Sequence, residues 1–113
     1  MKATLIFIFF LTGMSAQADV IEFRIAKGTG SQSWNTSETA IQGAVGDTLR
    51  IVNEDDVDHQ LHTYGSPCAH GPLIEPGKSW DCLAERPYHA HLDGPLYDHI
   101  AGESAEVWIE VTE

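Results

Sequence analysis

The stretch GDTLRIV at residues 46–52 places a turn directly before a short apolar strand. Glycine and aspartate are residues that turns favour, so a turn is predicted over residues 45–48 and a strand over residues 49–52. Upstream, residues 20–25 alternate in polarity, with two isoleucines and a phenylalanine on one face. This period of two predicts a half-buried strand.

The rest of the chain continues the β pattern. Further short strands are predicted at residues 39–42, 59–64, 79–83, 87–92 and 106–112. Residues 65–78 contain three glycines and three prolines and therefore predict a long loop. No segment has a convincing helical period over about twelve residues. We therefore expect an all-β sandwich or barrel of about seven to eight strands.

A secretory signal peptide is predicted over residues 1–18. Lys2 supplies a positive charge, residues 5–11 (LIFIFFL) form an apolar run, and Ala16-Gln17-Ala18 is a small-residue cleavage signal. The apolar run is too short to span a bilayer as a helix, although a buried strand or a membrane anchor remains an alternative. We expect one domain over residues 19–113, periplasmic or secreted and without membrane insertion.

The charge balance limits the classes of partner. The formal net charge of the chain is −11, and it becomes −12 once Lys2 is removed with the signal peptide. Such a surface repels nucleic acid and anionic lipid, and it attracts basic proteins and metal cations. Nucleic-acid binding is therefore not expected.

The two cysteines, Cys68 and Cys82, are predicted to form a disulfide. Export implies an oxidising compartment, where a pair of thiols usually closes such a bond. The alternative is that one of them binds copper as a thiolate.

Six histidines in a short acidic chain point to a metal site. Five of them lie in or beside predicted strands or the loops that follow, and these are the predicted metal ligands: His59, His62, His89, His91 and His99. His70 lies in the predicted loop and is the weakest candidate. Imidazoles suit copper, zinc, nickel or iron, and the affinity order favours copper where it is available.

The alternation of side chains along a strand predicts how these histidines group. His59 and His62 are three residues apart and should face opposite ways, whereas His89 and His91 should share one face. Two groupings follow from this parity. One is an outward trio of His62 with His89 and His91, and the other pairs His59 with His99 at one end of the sandwich.

Three motifs resemble the cupredoxin family. GDTLRIVNED at residues 46–55, followed by His59, is similar to that family's Gly-Asp turn, apolar strand and first copper histidine. PGKS at residues 76–79 and VWIEV at residues 107–111 resemble its Pro-Gly turn and its final strand. The resemblance covers nearly all of residues 20–113 and implies a Greek-key β-sandwich that binds copper.

The copper motif itself departs from that family. Ala90 stands where blue copper members have their cysteine, His99 falls at the place of the second histidine, and Ser104 is the nearest match to the axial methionine. The resemblance therefore implies copper without a thiolate and without an intense blue absorption band. Tyr88-His89-Ala90-His91 also resembles the His-x-His motif of multicopper oxidases.

The expected function is copper handling or delivery by a non-enzymatic protein with a histidine-only site. The expected partners are a copper ion and a protein that handles copper or exchanges electrons. Electron transfer is the first alternative, followed by a subunit of an oligomeric copper oxidoreductase. A metal-free adhesion or interaction domain is the last.

Overall fold

The computed structural model describes residues 17–113, so the predicted signal peptide lies outside the described residues except for its last two. Within the described part, no helix is long and apolar enough to cross a membrane.

The described chain is built mainly from β-strands, which confirms the all-β prediction. Two helical pieces accompany the strands, a 3-10 turn at Ser37–Thr39 and the single-turn helix α1 at Ala90–Asp93. The eight strands are β1 Val20–Ile25, β2 Ile41–Ala44, β3 Thr48–Asn53, β4 Leu61–His62, β5 Ser79–Leu83, β6 Leu96–Asp98, β7 Gly102–Val107 and β8 Ile109–Thr112.

The strands form three small sheets, and none of those described closes into a barrel. In the first sheet, β3 lies between β1, to which it is parallel, and β5, to which it is antiparallel. The second sheet pairs β2 with β8 in parallel. The third has the antiparallel order β4-β6-β7 and carries the candidate site.

The core is formed by the apolar faces predicted from the alternating strands. Leu49 and Ile51 of β3 are fully buried, as are Val107, Ile109 and Val111 near the end of the chain. These last three lie within residues 106–112, for which the sequence predicts a single strand. The strand is instead divided at Trp108 between two sheets, because the side chain of Asn35 bonds to both backbone groups of Trp108.

The prediction of a strand at residues 87–92 is wrong. Only Tyr88 pairs, in an isolated bridge with Val111, and α1 follows directly. The carboxylate of Glu110 accepts the Ala90 N–H at 2.9 Å and that of Asp93 accepts the His89 N–H at 2.8 Å. These bonds satisfy free N–H groups at the start of the helix, which therefore competes successfully with an extended chain.

The predicted disulfide between Cys68 and Cys82 is confirmed. It joins the loop at residues 63–78 to β5, and both cysteines are buried. The two residues are 14 positions apart, so the chain-entropy model gives the bond a stabilisation of about 3 kcal/mol. It also restrains the loop that carries His70.

Candidate metal centre

Neighbouring strands of the third sheet supply two histidines. His62 ends β4 and pairs with Tyr97 of β6, and His99 follows β6 directly. Residues two apart in an extended chain face the same side, so His99 lies on the side of the sheet where Tyr97 meets His62. The backbone N–H of His99 donates to the carbonyl of Gln60 at 2.7 Å, which continues the pairing beyond the strand.

The third histidine, His70, comes from the disulfide-restrained loop. Next to it, the Gly71 N–H donates to the Leu61 carbonyl at 3.1 Å, and the Gln60 side chain donates to the Gly71 carbonyl at 2.7 Å. A side chain at Gly71 would have its Cβ 3.0 Å from the Trp80 ring and 3.2 Å from the Leu61 carbonyl. The glycine therefore allows the loop to lie close enough to β4 for His70 to reach His62.

The three rings meet through their nitrogens. His62 Nδ1 lies 3.0 Å from His70 Nε2 and 3.1 Å from His99 Nδ1, and each histidine has a ring nitrogen within 4.8 Å of a ring nitrogen of the other two. Two imidazole nitrogens bound to one ion at about 2.0–2.1 Å are about 3 Å apart when they subtend an angle near 95°. The two short separations therefore suit ligands of a single ion.

Hydrogen bonding among the rings does not explain this arrangement. His70 Nδ1 lies 2.9 Å from the Gly71 carbonyl and donates its hydrogen there, so in the neutral ring His70 Nε2 presents a lone pair to His62. His62 Nδ1 carries at most one hydrogen, which cannot point at both neighbouring nitrogens. His62 Nε2 is buried and has no hydrogen-bond partner. The trio thus presents more lone pairs than its hydrogens can satisfy, as expected of a cation site.

The surroundings of His62 favour its neutral, metal-binding form. Burial lowers the pKa of His62, and the nearby His70 and His99 lower it further. The His62 ring stacks on Tyr97, with centroids 4.4 Å apart, and meets the edge of Tyr64 at 4.7 Å. His70 and His99 are exposed, so the site opens to solvent on their side.

His59 is engaged in a different and fully buried cluster. Its Nε2 lies 2.8 Å from a carboxylate oxygen of Asp55, and its Nδ1 bonds to the carboxylate of Asp98. Both ring nitrogens are therefore occupied by protein groups. The predicted pairing of His59 with His99 does not form, because Asp98 takes the nitrogen of His59 nearest to β6.

His89 and His91 also lie apart from the trio, which corrects the predicted grouping of these two with His62. The helix α1 replaces the predicted strand, so the alternation on which that grouping relied is lost. His89 Nδ1 bonds to Glu110 at 2.8 Å, and this hydrogen bond raises the pKa of His89 while it lowers that of Glu110. His91 is exposed on α1.

His62, His70 and His99 form the one group of three or more such side chains within metal-binding reach among residues 17–113. It contains two of the five predicted ligands and adds His70, which the sequence reasoning ranked lowest. The signal that could have found His70 was its place two residues after Cys68. A disulfide there turns a glycine- and proline-rich loop into a restrained segment.

Asp55 leads to a prediction on acid stability. Burial opposes its ionisation, but bonds from His59 and from three backbone N–H groups outweigh burial and hold the pKa of Asp55 well below its usual range. A depressed pKa in the folded state gives stability that is present above the unfolded-state pKa of about 4 and is lost as the pH falls toward the folded-state value. Asp55→Asn should therefore lower the free energy of unfolding at pH 7. The difference in this free energy between the variant and the original protein should be smaller at pH 3.

Urea unfolding of both proteins at the two pH values measures this effect. Asp56→Asn is the matched control, because the Asp56 side chain is 73% exposed and its loss should change the free energy of unfolding by less than about 0.5 kcal/mol. If Asp55→Asn lowers the free energy of unfolding equally at pH 3 and pH 7, the depressed pKa of Asp55 would be contradicted.

Comparison of the chain with protein-family models and with curated proteins finds no match.

Proposed function

We propose that this protein binds a single copper ion through His62, His70 and His99. The observation that carries the proposal is the convergence of three ring nitrogens, one from the end of β4, one from just after β6 and one from a restrained loop. Their lone pairs exceed the hydrogens available to them, and a cation relieves that excess.

The donor set favours copper over other ions. Three imidazoles without a carboxylate in the group suit copper or zinc, and the affinity order places copper first. The two cysteines of the chain are bonded to each other, so neither supplies a thiolate. The proposed centre is therefore of the type 2 kind, with weak colour and ordinary paramagnetic parameters.

The wider role that we propose is copper handling or delivery by an exported protein with a cupredoxin-like Greek-key fold. The three β-sheets, the disulfide and the acidic composition support this role, since an acidic surface attracts cations and disulfides persist in oxidising compartments. Transfer to a partner suits the exposure of His70 and His99, because an incoming ligand could reach the ion from their side.

Titration of the metal-free protein with Cu(II), followed by electron paramagnetic resonance, tests the proposal. We expect one equivalent to bind with nitrogen hyperfine structure from imidazoles and without the intense blue absorption band, which needs a thiolate ligand. Zinc added in a competing titration should displace copper only at large excess. Absence of saturable binding, or a signal unchanged when all three histidines are replaced, would refute the site.

A further inference from the structure

A cleft next to the metal centre is lined largely by aromatic rings. It has a volume of about 310 Å³, within the range of small-molecule sites. Three tyrosines line it, Tyr64, Tyr88 and Tyr97, together with the ring of His62. Of these residues only His62 is a proposed metal ligand, so the metal function does not account for a cleft lined by three tyrosines.

The rings stand at different angles around the cleft. The His62 ring is nearly parallel to Tyr97, at 20°, and nearly perpendicular to Tyr64, at 84°. Tyr88 is fixed by a hydrogen bond from its hydroxyl to the Gly94 carbonyl at 2.7 Å. Three tyrosine rings thus border one space, and the electron-rich face of a tyrosine ring attracts organic cations.

The charged side chains that line the cleft favour a positively charged ligand. Asp93 is the one carboxylate among the lining residues, and no lysine or arginine of residues 17–113 lines the cleft. Pro95 and Leu96 add apolar surface, which suits methyl or methylene groups around a charged nitrogen. The acidic composition of the whole chain adds a long-range attraction for positive ligands.

We propose that this cleft binds a small organic ammonium ion, held by cation–π contacts with the tyrosines and by the carboxylate of Asp93. The cleft shares the His62 ring with the proposed metal centre, but binding of the ammonium ion does not depend on the proposed copper function. A quaternary ammonium group suits it best, because such a group has no N–H bonds to satisfy and buries its methyl groups against rings.

Choline is the probe for the test, titrated into the chelator-treated chain while backbone amide shifts are followed by nuclear magnetic resonance. We expect saturable shifts around Tyr64, Tyr97 and Asp93. The neutral isostere 3,3-dimethylbutan-1-ol has the same shape without the charge and should bind at least about threefold more weakly. Equal binding of the two compounds, or no saturation with choline, would overturn the proposal.

Variants of Tyr64 separate the ring from the hydroxyl. Its side chain is 85% exposed, so replacement should leave the fold intact. Tyr64→Leu should weaken choline binding by about 3- to 30-fold, whereas Tyr64→Phe keeps the ring and should stay within about twofold of the original. Identical affinities for Tyr64→Leu and Tyr64→Phe would contradict a cation–π site.

A further pair of variants distinguishes this site from the metal centre. Asp93→Asn should weaken choline binding, most strongly at low salt, since it removes the carboxylate but keeps an oxygen for the His89 N–H. His70→Ala removes a proposed copper ligand that does not line the cleft, and choline binding should survive it. Loss of choline binding in His70→Ala, or none in Asp93→Asn, would count against the assignment.

Discussion

Replacing His70 by alanine is expected to weaken Cu(II) binding by at least about 100-fold, because loss of a partner that merely orients a ligand already costs about 10- to 100-fold. His70 Nε2 lies 3.0 Å from His62 Nδ1 and its lone pair is directed there by the bond from Nδ1 to the Gly71 carbonyl. Two imidazoles would remain, with water in place of the third. The side chain is exposed on a loop, so the fold should tolerate the change.

The matched control is His91→Ala. His91 is also exposed, but it lies on α1 and outside the trio, so its loss should leave the copper affinity within about twofold. Competition with a chelator of known affinity measures both variants on one scale. A His91→Ala variant that loses copper as strongly as His70→Ala would show that the proposed ligand set is incorrect.

The sequence predicted those elements whose period of two matches the packing of the core. The strands at residues 20–25 and 79–83 were predicted with the bounds that β1 and β5 have. Their register with β3 buries Leu49 and Ile51 and needs no signal beyond alternation. Where the predicted elements differ from the structure, contacts between residues far apart in the sequence are the cause. Glu110 stabilises the start of α1, and Asn35 divides the last predicted strand, and neither effect is visible within a local window.

For the candidate site too, local sequence indicates some of the residues but not how they come together. His62 and His99 were recognisable as histidines beside apolar strands. Their meeting depends on the pairing of β4 with β6, and the short β6 was not predicted. His70 joins them through the disulfide and through the close approach of Gly71 to β4. The predicted grouping of His62 with His89 and His91 relied on a strand at residues 87–92 that the chain does not form.

Replacement of His59 by alanine is expected to lower the free energy of unfolding by about 3–5 kcal/mol at pH 7, because it leaves a cavity in the core and breaks a buried hydrogen-bonded network. His59 and Asp98 are fully buried, and Asp55 is 4% exposed. Removal of the ring leaves two carboxylates in the interior without the group that lies between them, together with a cavity beside Trp34, whose ring centroid is 5.8 Å away. Urea unfolding followed by tryptophan fluorescence measures the change.

His89→Ala is the control that isolates burial as the cause. His89 also bonds to a carboxylate, that of Glu110, but its side chain is 40% exposed and it has one such partner instead of two. Water can replace the lost ring there, so the free energy of unfolding should fall far less than in His59→Ala. Similar losses in the two variants would mean that the Asp55–His59–Asp98 cluster adds no more stability than a surface pair.

A large loss of stability in His59→Ala alone would instead assign His59 to the structure that holds β4 against β6, because Asp98 also accepts the backbone N–H of Gln60 at 3.0 Å. The histidine that most resembles a cupredoxin ligand by its place in the sequence would then support the strands of the proposed metal centre without being one of its ligands.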